Sequence, residues 1–306
     1  MNLNSEFQSF NGAIKLTQSR KDKILNSRNA IREKIRSYFK NELHINQPKF
    51  LRQGSFAINT ALNPLADDEV DIDDGLYLKH IDENNKATWP TPKEAHQLVM
   101  DALCNHTQDG CEDKTSCVRV IYRNFYHVDI PIYIMQGNHA KLANTKTNTW
   151  ETSDSKDFSD WFYRNRKSEQ TNRIIRYLKA WRDYNNIDFS SIELTILATE
   201  NHIENDDDGM ALKSTVDNIY SYLNLYRRID KPVAPYENLL EGKNIDSLIK
   251  SIKRLKDDLN TVYNSCTSKN RATTILREQF GDRFPLVEDC KDNTREYNWS
   301  PKPWGM

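Results

Sequence analysis

Apolar residues recur along this chain with two different periods, and each period names a kind of element. Over residues 13–44, Ile24, Ile31, Ile35, Phe39 and Leu43 fall at helical offsets while Lys and Arg fill the other face, which predicts one long helix. Pro48 ends that pattern, and PKFLRQ predicts a short strand running into Gly54-Ser55. A polar loop, NPLADDEV, leads into the strand VDIDDGLYL. Residues 92–107 fit a helix with Thr91 as its N-cap and Pro92 in the first turn. CVRVIY and FYHVDIPIYIM predict two more strands joined tightly through Arg123 and Asn124, and Pro131 marks the second as an edge or a bulge.

The pattern changes after about residue 140. NTKTNTWETSDSKD is polar and predicts the crossing into a second lobe. Helical periodicity then dominates, at 158–184, 191–203, 211–225, 243–262 and 270–280. The expectation is an α+β chain. A mixed α/β lobe over 1–145, with its long N-terminal helix, precedes a helical lobe over 146–306, with a cleft between them.

Composition narrows the class. The chain has 306 residues, more than one core usually organises, and 37% are hydrophobic, a soluble globular balance. No apolar run reaches membrane-spanning length and the first residues lack a secretion signal, so the reading is cytoplasmic, with no membrane partner. Five cysteines, an odd number, suit a reducing compartment. Cys104, His106, Cys111 and Cys117 lie close enough in sequence to raise the question of zinc. Their spacing matches no recognised finger, and Cys117 opens an apolar run, so free thiols are expected. Net charge is −1, yet residues 1–50 carry ten Lys or Arg against four acids and residues 164–182 carry seven against one. Local basic patches on a neutral protein suit a small polyanion such as a triphosphate, not a long duplex.

Three features of the first lobe carry chemistry. Gly54-Ser55 lets the backbone approach a phosphate and supplies donors to it. Asp71 and Asp73 project from one face of their strand, about 7 Å apart, while Val70 and Ile72 enter the core. Their mutual repulsion calls for a cation, and such hard oxygen ligands suit Mg²⁺. Asp129 is a lone carboxylate on an apolar strand, which demands a metal, an Arg or a ligand as partner. His127 on the same face reads as a neighbour, and Asp67, Asp68, Glu69 and Asp74 read as surface acids.

A Gly-Ser turn, an Asp-x-Asp strand and a third Asp on a later strand, in that order, form the pattern of the polymerase-β-like nucleotidyltransferases. GSFAINT, VDIDDGLYL, HVDIPIY, RIIRYLKAW and FGDRFP together resemble the bacterial CD-NTase family, over roughly residues 45 to 286. Its members are relatives of cyclic GMP–AMP synthase and oligoadenylate synthase and act in anti-phage (CBASS) signalling. One departure is the fifteen residues between Ser55 and Asp71, which makes NPLADDEV an insertion.

The resemblance implies a palm-like catalytic lobe and a template-independent enzyme that makes a cyclic di- or trinucleotide from ATP, GTP or other nucleoside triphosphates. Two Mg²⁺ ions, with Mn²⁺ able to substitute, would sit on Asp71, Asp73 and Asp129. It also implies a triphosphate grip by Gly54, Ser55, Arg176 and Ser191, with Lys179 beside them. Arg173, Arg176 and Lys179 recur on a helix whose Ile174, Leu178 and Trp181 form the opposing apolar stripe; Tyr177 reads as core. Ile192 stands where some relatives place a stacking Tyr, and KPVAPYENLLEGK is assigned a structural role. No nucleic-acid activator is expected; control falls to protein partners or metabolites, and a downstream effector would sense the product. The competing readings are a linear-oligonucleotide synthase, an RNA- or protein-modifying transferase, and a catalytically silent nucleotide-binding module.

Overall fold

The computed structural model describes residues 1–65, 70–103, 105–122, 126–153 and 155–288. The helix expected over 13–44 begins only at Gln18, and a separate, unexpected helix precedes it. α1 (Asn4–Ile14) and its N-cap Leu3 place Leu3, Phe7, Phe10 and Ile14 at four- and three-residue offsets, all fully buried. α2 (Gln18–Ser37) starts afresh because the Thr17 hydroxyl accepts the Arg20 N–H, and it ends in a π-helical turn, Tyr38–Glu42.

β1 (Lys49–Arg52) leads through a one-turn helix, α3 (Gly54–Ala57), to β2 (Val70–Tyr77). α4 (Pro92–Leu103) begins with a reciprocal cap between Thr91 and Glu94. After it come β3 (Cys111–Asp113), β4 (Val118–Tyr122), β5 (Tyr126–Ile130), β6 (Ile132–Gln136), β7 (His139–Asn144) and β8 (Thr149–Thr152). The sheet order is β3-β4-β5-β2-β6-β7-β8, with β1 antiparallel on β2. β2 pairs in parallel with β5 (Val70↔Tyr126) and with β6 (Leu76↔Ile132) at the same offset. The two therefore run beside β2 as one strand broken at Pro131. Its ring offers no N–H there, while its carbonyl still accepts from Leu76 N–H at 2.9 Å. Arg123 and Asn124, in the expected tight connection, lie outside the described residues, as do Asp67, Asp68 and Glu69.

The polar stretch expected to be a crossing instead holds the end of the β7–β8 hairpin, and the turn at Thr145 falls inside it. The chain leaves the sheet only after Thr152. α5 (Ser155–Asn165) and α6 (Glu169–Asn185) replace the single helix expected over 158–184, because Ser168 caps the Gln170 N–H and starts a new helix. α7 (Ser191–Asn201), α8 (Asp208–Tyr226), α9 (Ile245–Asn264) and α10 (Lys269–Phe280) follow the expected periodicity. Among the described residues no helix is long and apolar enough to cross a membrane.

Two cores result. Ile24, Ile31, Ile35 and Phe39 pack with α4 on sheet residues such as Ile72, Val120, Val128 and Ile132. The other core surrounds α6, and it includes α1: Phe7 and Phe10 meet Tyr177, Phe280 and Phe284 at ring separations of 5.0 to 6.3 Å. The N-terminus thus belongs to the helical core although the next helix belongs to the sheet.

Candidate active site

The parallel register of β2 and β5 brings the carboxylates together. Asp71 lies opposite His127 and Asp73 opposite Asp129, while Val70, Ile72 and Val128 are buried on the other face. Gly54 is pressed against this pair. A Cβ there would lie 2.0 Å from Asp73 Oδ2, and Gly54 adopts φ +62, a left-handed conformation that glycine alone accepts readily. The Gln53 N–H, donated to the Asp73 carbonyl at 3.1 Å, ties the turn to β2.

These residues line a cavity of about 400 Å³ between the sheet and the helices. Gly54, Ser55, Asp71, Asp73 and Asp129 form one wall; Lys179 and Ser191, from α6 and the start of α7, face them. Phe158, Ile58 and Ile192 supply apolar surface, and Ser153, Ser155, Thr195 and Lys231 supply polar groups. A second cavity of about 530 Å³ shares Ser55, Asp71, Lys179 and Ser191 with the first and adds Arg119, His127 and Arg182.

The site's charges are unevenly balanced. Burial, then the neighbouring Asp129 and Asp71 charges, push the Asp73 carboxyl up to about 6. Arg119 stands opposite Asp129 on β4, donating from Nε to Oδ1 at 2.7 Å and from Nη2 to Oδ2 at 2.8 Å, and it reaches Asp71 Oδ1 at 3.5 Å. Lys179 is enclosed, its ammonium donating to Thr60 Oγ1 at 3.1 Å. Burial, then the Arg182 charge, pull it down to about 7. Three carboxylates against one guanidinium suit Mg²⁺, which completes its shell from waters and substrate phosphates. Among the described residues, no three His, Cys, Asp or Glu stand close enough to enclose an ion unaided. The donor set fits a cation that arrives with its phosphates.

Arg176 requires correction. It is not on a solvated face and lines neither cavity, being only 4% exposed. Its Nε donates to Asn11 Oδ1 at 2.8 Å and its Nη1 to the Asn59 carbonyl at 2.7 Å. It belongs to a comb of donors along the segment after Ser55. Tyr163 bonds the Ala57 carbonyl (2.8 Å), Asn172 the Ile58 carbonyl (2.6 Å), Arg176 that of Asn59, and Lys179 the Thr60 hydroxyl. The helix therefore holds the Gly-Ser segment with three side chains one turn apart, and only Lys179 also reaches the cavity.

Asp74, expected at the surface, is 1% exposed and paired with Arg32 of α2. Tyr177 is core, its hydroxyl bonded to Asp208 and to the Phe7 carbonyl. Of the cysteine and histidine cluster, Cys104 lies outside the described residues, and His106 pairs with the Tyr122 hydroxyl at 2.9 Å. Burial pushes the Cys117 thiol, beside Asp129, up to about 12, so it stays protonated.

Sequence reasoning missed Arg119, Ser153, Ser155, Phe158 and Lys231. Arg119 was legible: in CVRVIY it alternates with Val118 and Val120 and so faces the same side as the carboxylates. The others carry no local signal.

Comparison with known proteins finds likenesses for both the sheet lobe and the whole fold. Residues 48–133 match the family model for the nucleotidyltransferase domain of the cyclic GMP-AMP synthase DncV-like proteins. A cyclic GMP-AMP synthase of Escherichia coli is 25% identical over 45% of this chain and 43% of its own length. A c-di-GMP synthase of Roseivirga ehrenbergii is 28% identical over 36% of this chain and 30% of its own. The matches thus span less than half the length of either relative. In three dimensions the chain is similar to the Vibrio cholerae DncV cyclic AMP-GMP synthase in complex with nonhydrolyzable GTP. The TM-score is 0.78 at 21% identity, covering 94% of this chain and 100% of that one. The same enzyme with the linear intermediate 5′ pppA(3′,5′)pG gives 0.76 at 22% identity, covering 93% and 97%. Over residues 48–133 the chain thus resembles a DncV-like nucleotidyltransferase domain, and over most of its length it shares that enzyme's fold.

Proposed function

We propose that this protein is a template-independent nucleotidyltransferase that joins nucleoside triphosphates, releases pyrophosphate and closes the product into a cyclic di- or trinucleotide. The observation that carries the reading is the single cavity gathering Gly54, Ser55, Asp71, Asp73, Asp129, Lys179 and Ser191. The similar proteins support it: two are named as cyclic dinucleotide synthases, and the Vibrio cholerae enzyme of like fold is solved with nonhydrolyzable GTP and with a linear intermediate.

Ser55, Lys179 and Ser191 would hold the donor triphosphate, their hydroxyls and ammonium matching a polyanion. Asp71, Asp73 and Asp129 would hold two Mg²⁺ or Mn²⁺ ions, which when bound activate the attacking ribose hydroxyl and neutralise the leaving pyrophosphate. That hydroxyl attacks the α-phosphorus, the bond to the β-phosphate bridging oxygen breaks, and the Asp129 carboxylate takes the proton. Most of the rate would come from positioning and charge complementarity. Ile58, Phe158 and Ile192 give the bases an apolar compartment.

In the cell this chemistry fits the cytoplasmic anti-phage signalling of the family, with the product read by a separate effector. With a net charge of −1, protein partners or metabolites suit its control better than long duplexes. Pyrophosphate release from mixed triphosphates tests the reading: it should require Mg²⁺ or Mn²⁺, vanish in Asp71→Asn, and persist after nuclease treatment. No release under any triphosphate and cation combination would refute it. A tenfold rise on adding double-stranded DNA or RNA would refute the activator part.

A further inference from the structure

The carboxylate that must complete a cation site is already engaged. Both oxygens of Asp129 accept from one guanidinium, Arg119 Nε at 2.7 Å and Nη2 at 2.8 Å, and the same Nη2 lies 3.5 Å from Asp71 Oδ1. The register fixes this arrangement, because Arg119 and Asp129 are directly opposed across β4 and β5. The pair is partly enclosed, the side chains being 26% and 12% exposed, so the fork is stronger than a surface ion pair.

We infer that Arg119 is an internal counter-ion that occupies the cation's electrostatic place on Asp129 and Asp71 and must release Asp129 when the cation and triphosphate enter. The inference rests on the proposed function, since it concerns the cation which that chemistry needs. Two features of the geometry support release over permanent bridging. A divalent ion on Asp129 would sit within a few ångströms of a fixed positive charge, and the two would repel. Arg119 also lines the adjoining cavity with Lys179, Arg182 and Ser55, so its guanidinium has open space beside the carboxylates to move into. The site thus holds its charge balance before substrate arrives, and cation entry exchanges one positive partner for another. Arg119 is a positioning residue in this account, acting through Asp129.

The test is Mn²⁺ binding, followed by electron paramagnetic resonance, for wild type, Arg119→Gln and the double variant Asp71→Asn/Asp73→Asn. Arg119→Gln should bind Mn²⁺ roughly tenfold more tightly than wild type, since a competitor has gone. The double variant should lose binding. Equal or weaker binding by Arg119→Gln, with the double variant still defective, overturns the inference and leaves the proposed function standing. Wild type that binds no Mn²⁺, with or without a nonhydrolysable triphosphate, overturns both. Should Arg119→Gln fail to fold, Arg119→Lys keeps the charge without the fork. It should bind Mn²⁺ more tightly than wild type by a smaller factor, and binding equal to or weaker than wild type overturns the inference.

Discussion

Gly54 and Asp73 are in contact across the floor of the site, the position of a Cβ on Gly54 falling 2.0 Å from Asp73 Oδ2. The Gly-Ser turn and the central carboxylate are therefore one unit, and no side chain at 54 leaves both in place. Gly54→Ala should lower stability by about 1–2 kcal/mol from its left-handed backbone alone. It should also abolish turnover, because either the turn or Asp73 must shift. Thermal unfolding and pyrophosphate release measure the two; an active Gly54→Ala enzyme would show that the contact is not part of the site.

Asp73 gives a pH signature. Its carboxyl is raised from 3.8 to about 6, so folding favours the protonated form. The resulting stability is fully present below pH 3.8 and is lost as pH rises through about 6. With chelator present, Asp73→Asn should therefore gain melting temperature over wild type as pH passes from 4 to above 6, while losing activity. A melting difference independent of pH contradicts the burial and repulsion described for Asp73.

Arg176 separates a structural from a substrate role. Arg176→Met should lose about 1–3 kcal/mol of stability, because the Asn59 carbonyl and Asn11 amide oxygen lose a buried donor. Triphosphate affinity, measured by calorimetry below the melting point, should change less than about threefold. A drop of tenfold or more with unchanged stability would restore it to the phosphate grip.

The sequence made much of this site legible for reasons that Arg176 sharpens by contrast. Asp71, Asp73 and Asp129 sit on strands, where a period of two assigns faces without ambiguity, and an acid among Val and Ile has few explanations. Arg176 sits on α6, a helix buried on nearly all sides, where helical periodicity does not say which neighbour a long cationic side chain meets. The α1 stripe of Leu3, Phe7, Phe10 and Ile14 was equally regular, but which core it joins depends on a contact with α6 and α10 more than 150 residues away. Phe158, Lys231 and the serines at 153 and 155 join the cavity through tertiary packing alone.

Lys179 predicts a linked proton. Held down at about 7 by burial and by Arg182, its side chain is the neutral amine in much of the population near physiological pH. A triphosphate favours the charged form and raises it again. Binding of a nonhydrolysable triphosphate should therefore take up a proton, approaching one as pH passes ~8. Calorimetry in buffers of different ionisation enthalpy reads this directly, and Lys179→Met should remove the uptake. Uptake unchanged in Lys179→Met would mean that another group carries it.

The product itself tests the proposed synthase activity most directly. Protein incubated with all four nucleoside triphosphates and Mg²⁺ or Mn²⁺, then treated with phosphatase, is analysed by mass spectrometry beside Asp71→Asn and Asp129→Ala. The expected result is a phosphatase-resistant species whose mass is that of two or three nucleoside monophosphates less one water for each linkage. It should be absent from both variants. Products that all lose terminal phosphates to the enzyme, or a resistant species made equally well without Asp71 or Asp129, would contradict it.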